Sequence, residues 1–348
     1  MWKRSSLMVE GKRKFVKHVQ NDGNSNELIQ GVLNGDRAVL AKVITLIESN
    51  AMRHQEQSKN LLQKLLPYAG HSIRIGVTGV PGAGKSTFIE TLGHLLCEQG
   101  YSVAVLAVDP SSTISGGSIL GDKTRMEKLA RHPNAFIRPS PSGGKLGGVH
   151  TKTRECIIAC EAAGFNVILV ETVGVGQSES AVRSMVDFFL LLVLTGAGDE
   201  LQGMKKGILE LADLIVVNKA DGDNLNQAKK TMREYNQILH FIQPATPGWD
   251  TKAMISSSLT GTGIDKVWET IQDFMKKTQS TSLFKDRRQK QVKDWLFVLI
   301  KERLESDFFN DPHIKEIWSK IDSAVMNDLT TVPVAVDTLF SAYKKKDS

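Results

Sequence analysis

The stretch Ile73-Arg74-Ile75-Gly76-Val77-Thr78-Gly79-Val80-Pro81-Gly82-Ala83-Gly84-Lys85-Ser86 decides the fold. Its first six residues alternate β-branched side chains and predict a strand. Its last eight match a glycine-rich loop closed by Lys-Ser, and a segment with helical period begins near Ser86. Glycine permits the tight path that turns successive amide N–H groups onto an anion, and the helix start adds the positive end of its dipole. Lys85 is placed to reach the outer phosphates of a nucleotide, and the Ser86 hydroxyl to ligate magnesium. Gly79, Pro81, Gly82, Ala83, Gly84, Lys85, Ser86 and Thr87 are therefore the candidate phosphate-binding residues. A glycine turn without a ligand is the plain alternative, and the strand-loop-helix context weighs against it.

Outward from the loop, short apolar runs recur, each followed by a turn and a helix-period segment. They are Ile73–Thr78, Val103–Val108, Ala135–Arg138, Val167–Glu171, Phe188–Leu194, Leu214–Asn218 and Met254–Ser256. Strands alternating with helices predict right-handed crossovers and an α/β fold, a P-loop NTPase with a mostly parallel central sheet flanked by helices. Before it, residues 27–66 show helical spacing (Leu28, Val32; Val39, Val43, Ile47; Leu61, Leu65), with Asp36 a helix cap, and form an N-terminal helical lead-in. Asn21 to Asn26 reads as a polar break, so residues 1–26 are a basic flexible leader. Residues 67–280 are the nucleotide-binding domain and 281–348 a C-terminal helical arm. In the arm, Arg287–Leu304 and Ile314–Met326 read as helices anchored by Trp295, Phe297, Leu299 and Trp318.

The chain of 348 residues carries a formal charge of +6, with 41% hydrophobic and 24% charged residues. That composition fits an ordinary globular protein rather than a disordered or fibrous one. Residues 1–20 hold +5 of the charge and Lys344–Asp347 another +2, which leaves the body at −1. A basic surface for nucleic acid is therefore not expected. The longest apolar run, Phe188–Leu194, is far shorter than the roughly 20 residues that cross a bilayer, so no membrane partner is expected. Three scattered cysteines make no disulfide framework, and a reducing compartment follows. That means the cytoplasm, or the mitochondrial matrix if the source is eukaryotic.

Leu214-Ile215-Val216-Val217 ends in Asn218-Lys219-Ala220-Asp221. A carboxylate there can accept from guanine N1–H and N2–H2, a donor pair that adenine lacks, so Asp221 selects GTP. A turn cap would explain four residues alone. The phosphate loop upstream and Ser257-Ser258-Leu259 downstream, placed to touch the base edge, favour the guanine reading. Asp109 and Glu171 each end a strand, and in open α/β sheets ligands sit at the carboxyl ends of strands. Both acids, with Ser86, are candidate magnesium ligands; a helix cap is the alternative for each. Glu171-Thr172-Val173-Gly174 has the form of a switch in which the Gly174 amide senses the γ-phosphate. The next residue, Val175, cannot orient water as a glutamine would, which predicts slow intrinsic hydrolysis. Glu171, Asp199 and Gln177 are the candidates for positioning water, in that order, and Lys85, Glu171 and Asp199 the catalytic set.

Beyond these motifs, Val108-Asp109-Pro110-Ser111-Ser112, the long string from Gly116 to Met126 (GGSILGDKTRM) and Glu171 to Glu179 (ETVGVGQSE) closely resemble the MeaB/ArgK GTPases, chaperones of adenosylcobalamin-dependent methylmalonyl-CoA mutase. The resemblance runs from about residue 30 to 275. It implies a homodimer whose C-terminal helices form a dimerisation arm, and a GTP cycle that gates cofactor delivery to the mutase, or to a related acyl-CoA mutase, and protects it. Adenosylcobalamin would be met only through that partner. Carried across, Asp109 and Asp122 fall in a first switch beside magnesium, Glu171 opens the second, and Gly198 to Lys206 corresponds to a third that couples to the partner. Where relatives place an arginine near Gly143 or Gly144, this chain has none, and Lys145 or Arg125 would have to serve. Two other functions share the layout: a kinase linked to basic amino-acid transport, and a nickel-insertion GTPase. The second needs a Cys/His cluster near the switches, whereas Cys156 and Cys160 lie four apart on one helix face with no histidine and read as helix core. A scaffold that binds nucleotide without hydrolysing it is a third possibility that motifs leave open.

Overall fold

The computed structural model describes residues 22–109, 126–141, 146–172, 178–196 and 206–344, in two compact units. The first comprises residues up to His71 together with Ile158–Gly164. Its helices are α1 (Asp22–Leu33), α2 (Arg37–Glu48) and α3 (Met52–Leu65). Asp36 caps α2 as expected, its carboxylate accepting from Ala38 N at 2.8 Å and Val39 N at 3.1 Å. Ile29, Val32, Leu40, Val43, Ile44, Ile47, Leu61 and Leu65 are buried, one stripe from each helix. α1 begins inside the stretch read as a polar break. Its first turn is built from Asp, Gly and Asn, which carry no hydrophobic period, yet Ser25 on it is buried.

The second unit is built on seven strands: β1 (Ile73–Gly79), β2 (Val103–Asp109), β3 (Ala135–Pro141), β4 (Val167–Thr172), β5 (Phe188–Val193), β6 (Leu214–Val217) and β7 (Lys252–Ile255). They lie in the order β3-β2-β4-β1-β5-β6-β7, and every pairing is parallel. Helices intervene in chain order: α4 (Lys85–Glu98), α5 (Glu127–Arg131), α6 (Leu146–Ala162), α7 (Ser178–Arg183), α8 (Lys206–Leu209), α9 (Leu225–Leu239) and α10 (Ile264–Gln279). All seven predicted strands are present. β4, β5 and β6 are buried at every residue, as a sheet covered on both faces requires. Alternate residues face two layers: Ile75, Val77, Leu190 and Val216 pack with Phe88, Leu92, Ile271 and Phe274, while Leu191, Ile215 and Val217 pack with Ala228 and Tyr235. From β1 the chain leaves toward β2 on one side, and β5 to β7 lie on the other, so the order reverses at β1. Ligands of open α/β sheets bind outside the carboxyl end of such a strand.

The opposite, amino-terminal edge carries a charged network. Asp187 and Asp213 precede β5 and β6 and are fully buried. Arg288 reaches Asp187 at 2.6 Å and Arg183 reaches Asp213 at 2.9 Å; the Arg74 and Phe189 amides donate to the same carboxylates. Deleting one partner of such a pair strands a buried charge and costs on the order of 3–5 kcal/mol.

Arg287 and Arg288 belong to the C-terminal helix α11 (Leu283–Asn310), followed by α12 (Pro312–Met326) and α13 (Val332–Lys344). α11 extends four residues before and six beyond the span read from sequence. α13 was not anticipated. Its Val332-Pro333-Val334-Ala335-Val336 start is β-branched, and Pro333 is tolerated because it falls in the first turn. Two of the expected anchors are not buried in the single chain: Phe297 is 71% exposed and Trp318 42%, with Val292, Leu296, Ile300 and Leu304 also outward on α11. Trp295 and Leu299 are half-buried.

Candidate functional site

The phosphate loop forms as the sequence demands. Gly82 and Gly84 sit at φ 81° and 83°, the left-handed region that other residues resist, and a Cβ on Gly84 would stand 2.9 Å from the Asn218 amide nitrogen. α4 starts at Lys85 and points its amino end into the loop. Lys85 Nζ lies across the loop mouth, donating to Gly79 O at 2.9 Å and Val80 O at 3.3 Å. Burial lowers its proton affinity, and the carboxylates of Glu171 and Glu179 oppose that shift. Two carboxylates thus support the charge of Lys85 at the mouth of the loop against the cost of its burial.

Ser86 Oγ donates to Glu171 Oε1 at 3.0 Å, and Glu171 is buried at the end of β4. Adjacent corners of an octahedron with metal–oxygen bonds of about 2.05 Å are roughly 2.9 Å apart, so the two oxygens are spaced as neighbouring magnesium ligands would be. Among the described residues no three His, Cys, Asp or Glu side chains form a cation cage. Asp109 ends β2 next to β4, at the same edge of the sheet. The ion would supply charge neutralisation on the outer phosphates.

The base side is tied to the phosphate side by Asn218. Its Nδ2 donates to Ala83 O at 2.8 Å, and its Oδ1 accepts from Ser258 N at 3.1 Å and Ser258 Oγ at 2.8 Å. The residue is 1% exposed, and these bonds brace the two loops together. Lys219 adopts φ 59°, with Asn224 Nδ2 donating to its carbonyl at 2.7 Å. This turn presents Asp221, whose Oδ2 accepts from Ser257 Oγ. Thr91 on α4 donates to Ser258 O at 2.8 Å, and Leu259 is 82% exposed at the loop tip. Asp221, Ser257 and Leu259 thus share one rim, and Asn218 joins that rim to the phosphate loop.

Glu179 was overlooked as a site residue. It is buried on the first turn of α7, and its carboxylate helps keep Lys85 protonated. Its signal in the sequence was an acid placed just past the switch glycine, easily taken for a helix-start charge. The side chain of Asp109, and Asp122, Gly174, Val175, Gln177, Asp199, Lys145, Arg125 and most of Gly198–Lys206, lie outside the described residues. Cys156 and Cys160 are fully buried on α6, as expected of helix core, and present no thiol to an ion arriving from solvent.

Comparison with known proteins adds to this geometry. The family described as "Methylmalonyl Co-A mutase-associated GTPase MeaB" matches residues 40–313. The chain belongs to the MeaB family of GTPases. GTPase ArgK of Escherichia coli is 46% identical over 308 residues, covering 88% of this chain and 93% of that protein. The mitochondrial methylmalonic aciduria type A homolog of Mus musculus is 43% identical over 331 residues, covering 92% and 80%. A solved structure described as a LAO/AO transport system kinase superposes with a TM-score of 0.75 at 38% identity, over 93% of this chain and 99% of that one. A MeaB-family GTPase binds GTP, and the P-loop NTPase fold is shared with the solved relative. No helix among the described residues is long and apolar enough to cross a membrane.

Proposed function

We propose that this GTPase is a magnesium-dependent switch that assists adenosylcobalamin loading and protection of methylmalonyl-CoA mutase or a closely related acyl-CoA mutase. The observation that carries the switch reading is the joining of three parts in one bonded unit: Lys85 and Ser86 on the phosphate loop, Glu171 at the end of β4, and Asp221 held through Asn218. Lys85 and the loop amides hold the phosphates. Ser86 and Glu171, with Asp109 and Asp122, hold the magnesium ion. Asp221, flanked by Ser257, Ser258 and Leu259, selects guanine. Glu171 and Asp199 are the groups for orienting water, and Val175 in place of a glutamine keeps the unaided rate slow. The Gly174 amide reports the γ-phosphate.

The mutase enters through the family's description, and the mouse relative's name points to the same metabolism. We further propose a homodimer through the arm. Leu296, Phe297, Ile300 and Leu304 form an exposed apolar stripe on α11, and Met326, Leu329 and Phe340 are exposed on α12, its following turn and α13, the kind of apolar surface that marks a protein interface. The residues before α1 are read as a leader outside the GTP-binding domain of 67–280, and the compartment as the cytoplasm, or the matrix in a eukaryote. A pull-down with the mutase in the presence of GTP, GDP or ATP tests the reading. Capture that depends on which guanine nucleotide is bound supports it. Capture that is indifferent to nucleotide, or phosphate transfer to a basic amino acid, would replace it.

A further inference from the structure

Two helices that start at the carboxyl edge of the sheet meet α11 at the opposite edge. α6 begins shortly after β3, and α7 shortly after β4. Arg154 on α6 donates through one terminal nitrogen to both the carbonyl and the hydroxyl of Ser184 at 2.7 Å, immediately after α7. Its other terminal nitrogen donates to Gln291 O on α11 at 3.0 Å, and the guanidinium lies 5.7 Å from the centre of the Trp295 ring. Gln291 is 7% exposed, and its amide donates to Val186 O at 2.8 Å and Arg183 O at 3.4 Å. The last residue of α7 is thus held by α11, while its second residue, Glu179, is buried and its carboxylate favours the charged form of Lys85. α7 has six residues and is about 9 Å long, too short to absorb a shift at one end. It also presses directly on β1, because a Cβ on Gly76 would stand 3.0 Å from the Val182 side chain.

We propose that Arg154 and Gln291 are positioning residues for GTP hydrolysis: they clamp the far end of α7 to α11, so that the GTP site and the first helix of the C-terminal arm bias one another. The proposal rests on the GTP-switch reading and deepens it by naming the element that carries nucleotide state to the arm. Coupling of this kind is reciprocal in binding, so whatever steadies α11 also steadies α7 beside Lys85.

Hydrogen exchange on the full-length protein, saturated with GDP or with a non-hydrolysable GTP analogue and magnesium, tests it. Peptides spanning α7 and the first half of α11 should both change protection between the two nucleotides. In Gln291→Ala, and in Arg154→Lys, whose single ammonium cannot bridge Ser184 and Gln291 together, the α11 difference should vanish. In both variants kcat should fall by roughly fivefold or more while KM stays within about twofold. If either variant fails to fold, the wild-type exchange still decides. A nucleotide-dependent α7 beside an indifferent α11, or variants that keep wild-type kcat and lose only Tm, would overturn the clamp and leave the switch reading standing. Two tightly bound nucleotides with no difference in either helix would overturn both.

Discussion

The side-chain amide of Asn218 donates to the carbonyl of Ala83 at 2.8 Å while its oxygen accepts from Ser258, so the loop at Ser257–Leu259 and the glycine-rich loop are one bonded unit. Replacing Asn218 with Ala leaves Ala83 O and Ser258 N buried without that partner. A buried group so stranded costs about 1–3 kcal/mol. Affinity for GTP and for GDP should fall together, with a lower Tm, by calorimetry and thermal unfolding. Loss confined to the triphosphate would show that the brace acts on the γ-phosphate alone.

Asp221 follows a turn in which Asn224 Nδ2 donates to Lys219 O, and one of its carboxylate oxygens accepts from Ser257 Oγ. Asp221→Asn replaces one acceptor oxygen by a donor, which opposes the guanine N–H groups and suits a xanthine carbonyl. GTP binding should weaken by at least about tenfold, and xanthosine triphosphate should gain relative to GTP in a competition assay. Unchanged selectivity would remove Asp221 from the base site.

The charge on Lys85 is opposed by burial and supported by Glu171 and Glu179. Glu179→Gln removes one support and leaves the desolvation, so the lysine pKa falls further. Nucleotide binding needs the ammonium, and its alkaline limit follows the pKa of the free protein. The fall in affinity as pH rises should therefore begin at a lower pH in Glu179→Gln than in the wild type. Coincident profiles would mean that Glu179 does not act on Lys85.

Ser86 and Glu171 supply oxygens 3.0 Å apart. Chelation of magnesium should stop phosphate release and weaken GTP more than GDP, because the ion would neutralise charge on the outer phosphates. Glu171→Ala should raise the magnesium concentration needed for half-maximal binding by roughly tenfold or more. Hydrolysis that persists in excess chelator would exclude the assignment.

Much of this was legible in the sequence because it is local. A glycine-rich loop, strands such as Phe188–Val193 and the Asn218–Asp221 turn are each written in consecutive residues, and all seven strands follow from short apolar runs. What was not legible is long-range. Asn218 contains no sign that its amide will also reach Ala83, because that depends on how two loops meet across the sheet edge. Arg154 reads as an ordinary helix cation, and only the fold brings Ser184 and Gln291 to it. Phe297 and Trp318 looked like core because large aromatics usually are; in the arm they face outward. α13 escaped notice because its valines and proline resemble a strand or a loop, and tertiary contacts such as the stacking of Phe340 on Phe308 at 4.8 Å override that preference.

We propose that this MeaB-family GTPase is a switch acting on a cobalamin-dependent mutase. Phosphate release from GTP and magnesium, measured for the full-length protein alone and with methylmalonyl-CoA mutase, tests it most directly. A slow rate for the protein alone, raised severalfold by the mutase and abolished in Lys85→Ala, is the predicted result. A rate of tens per second without any partner, or one that no acyl-CoA mutase alters, would contradict it.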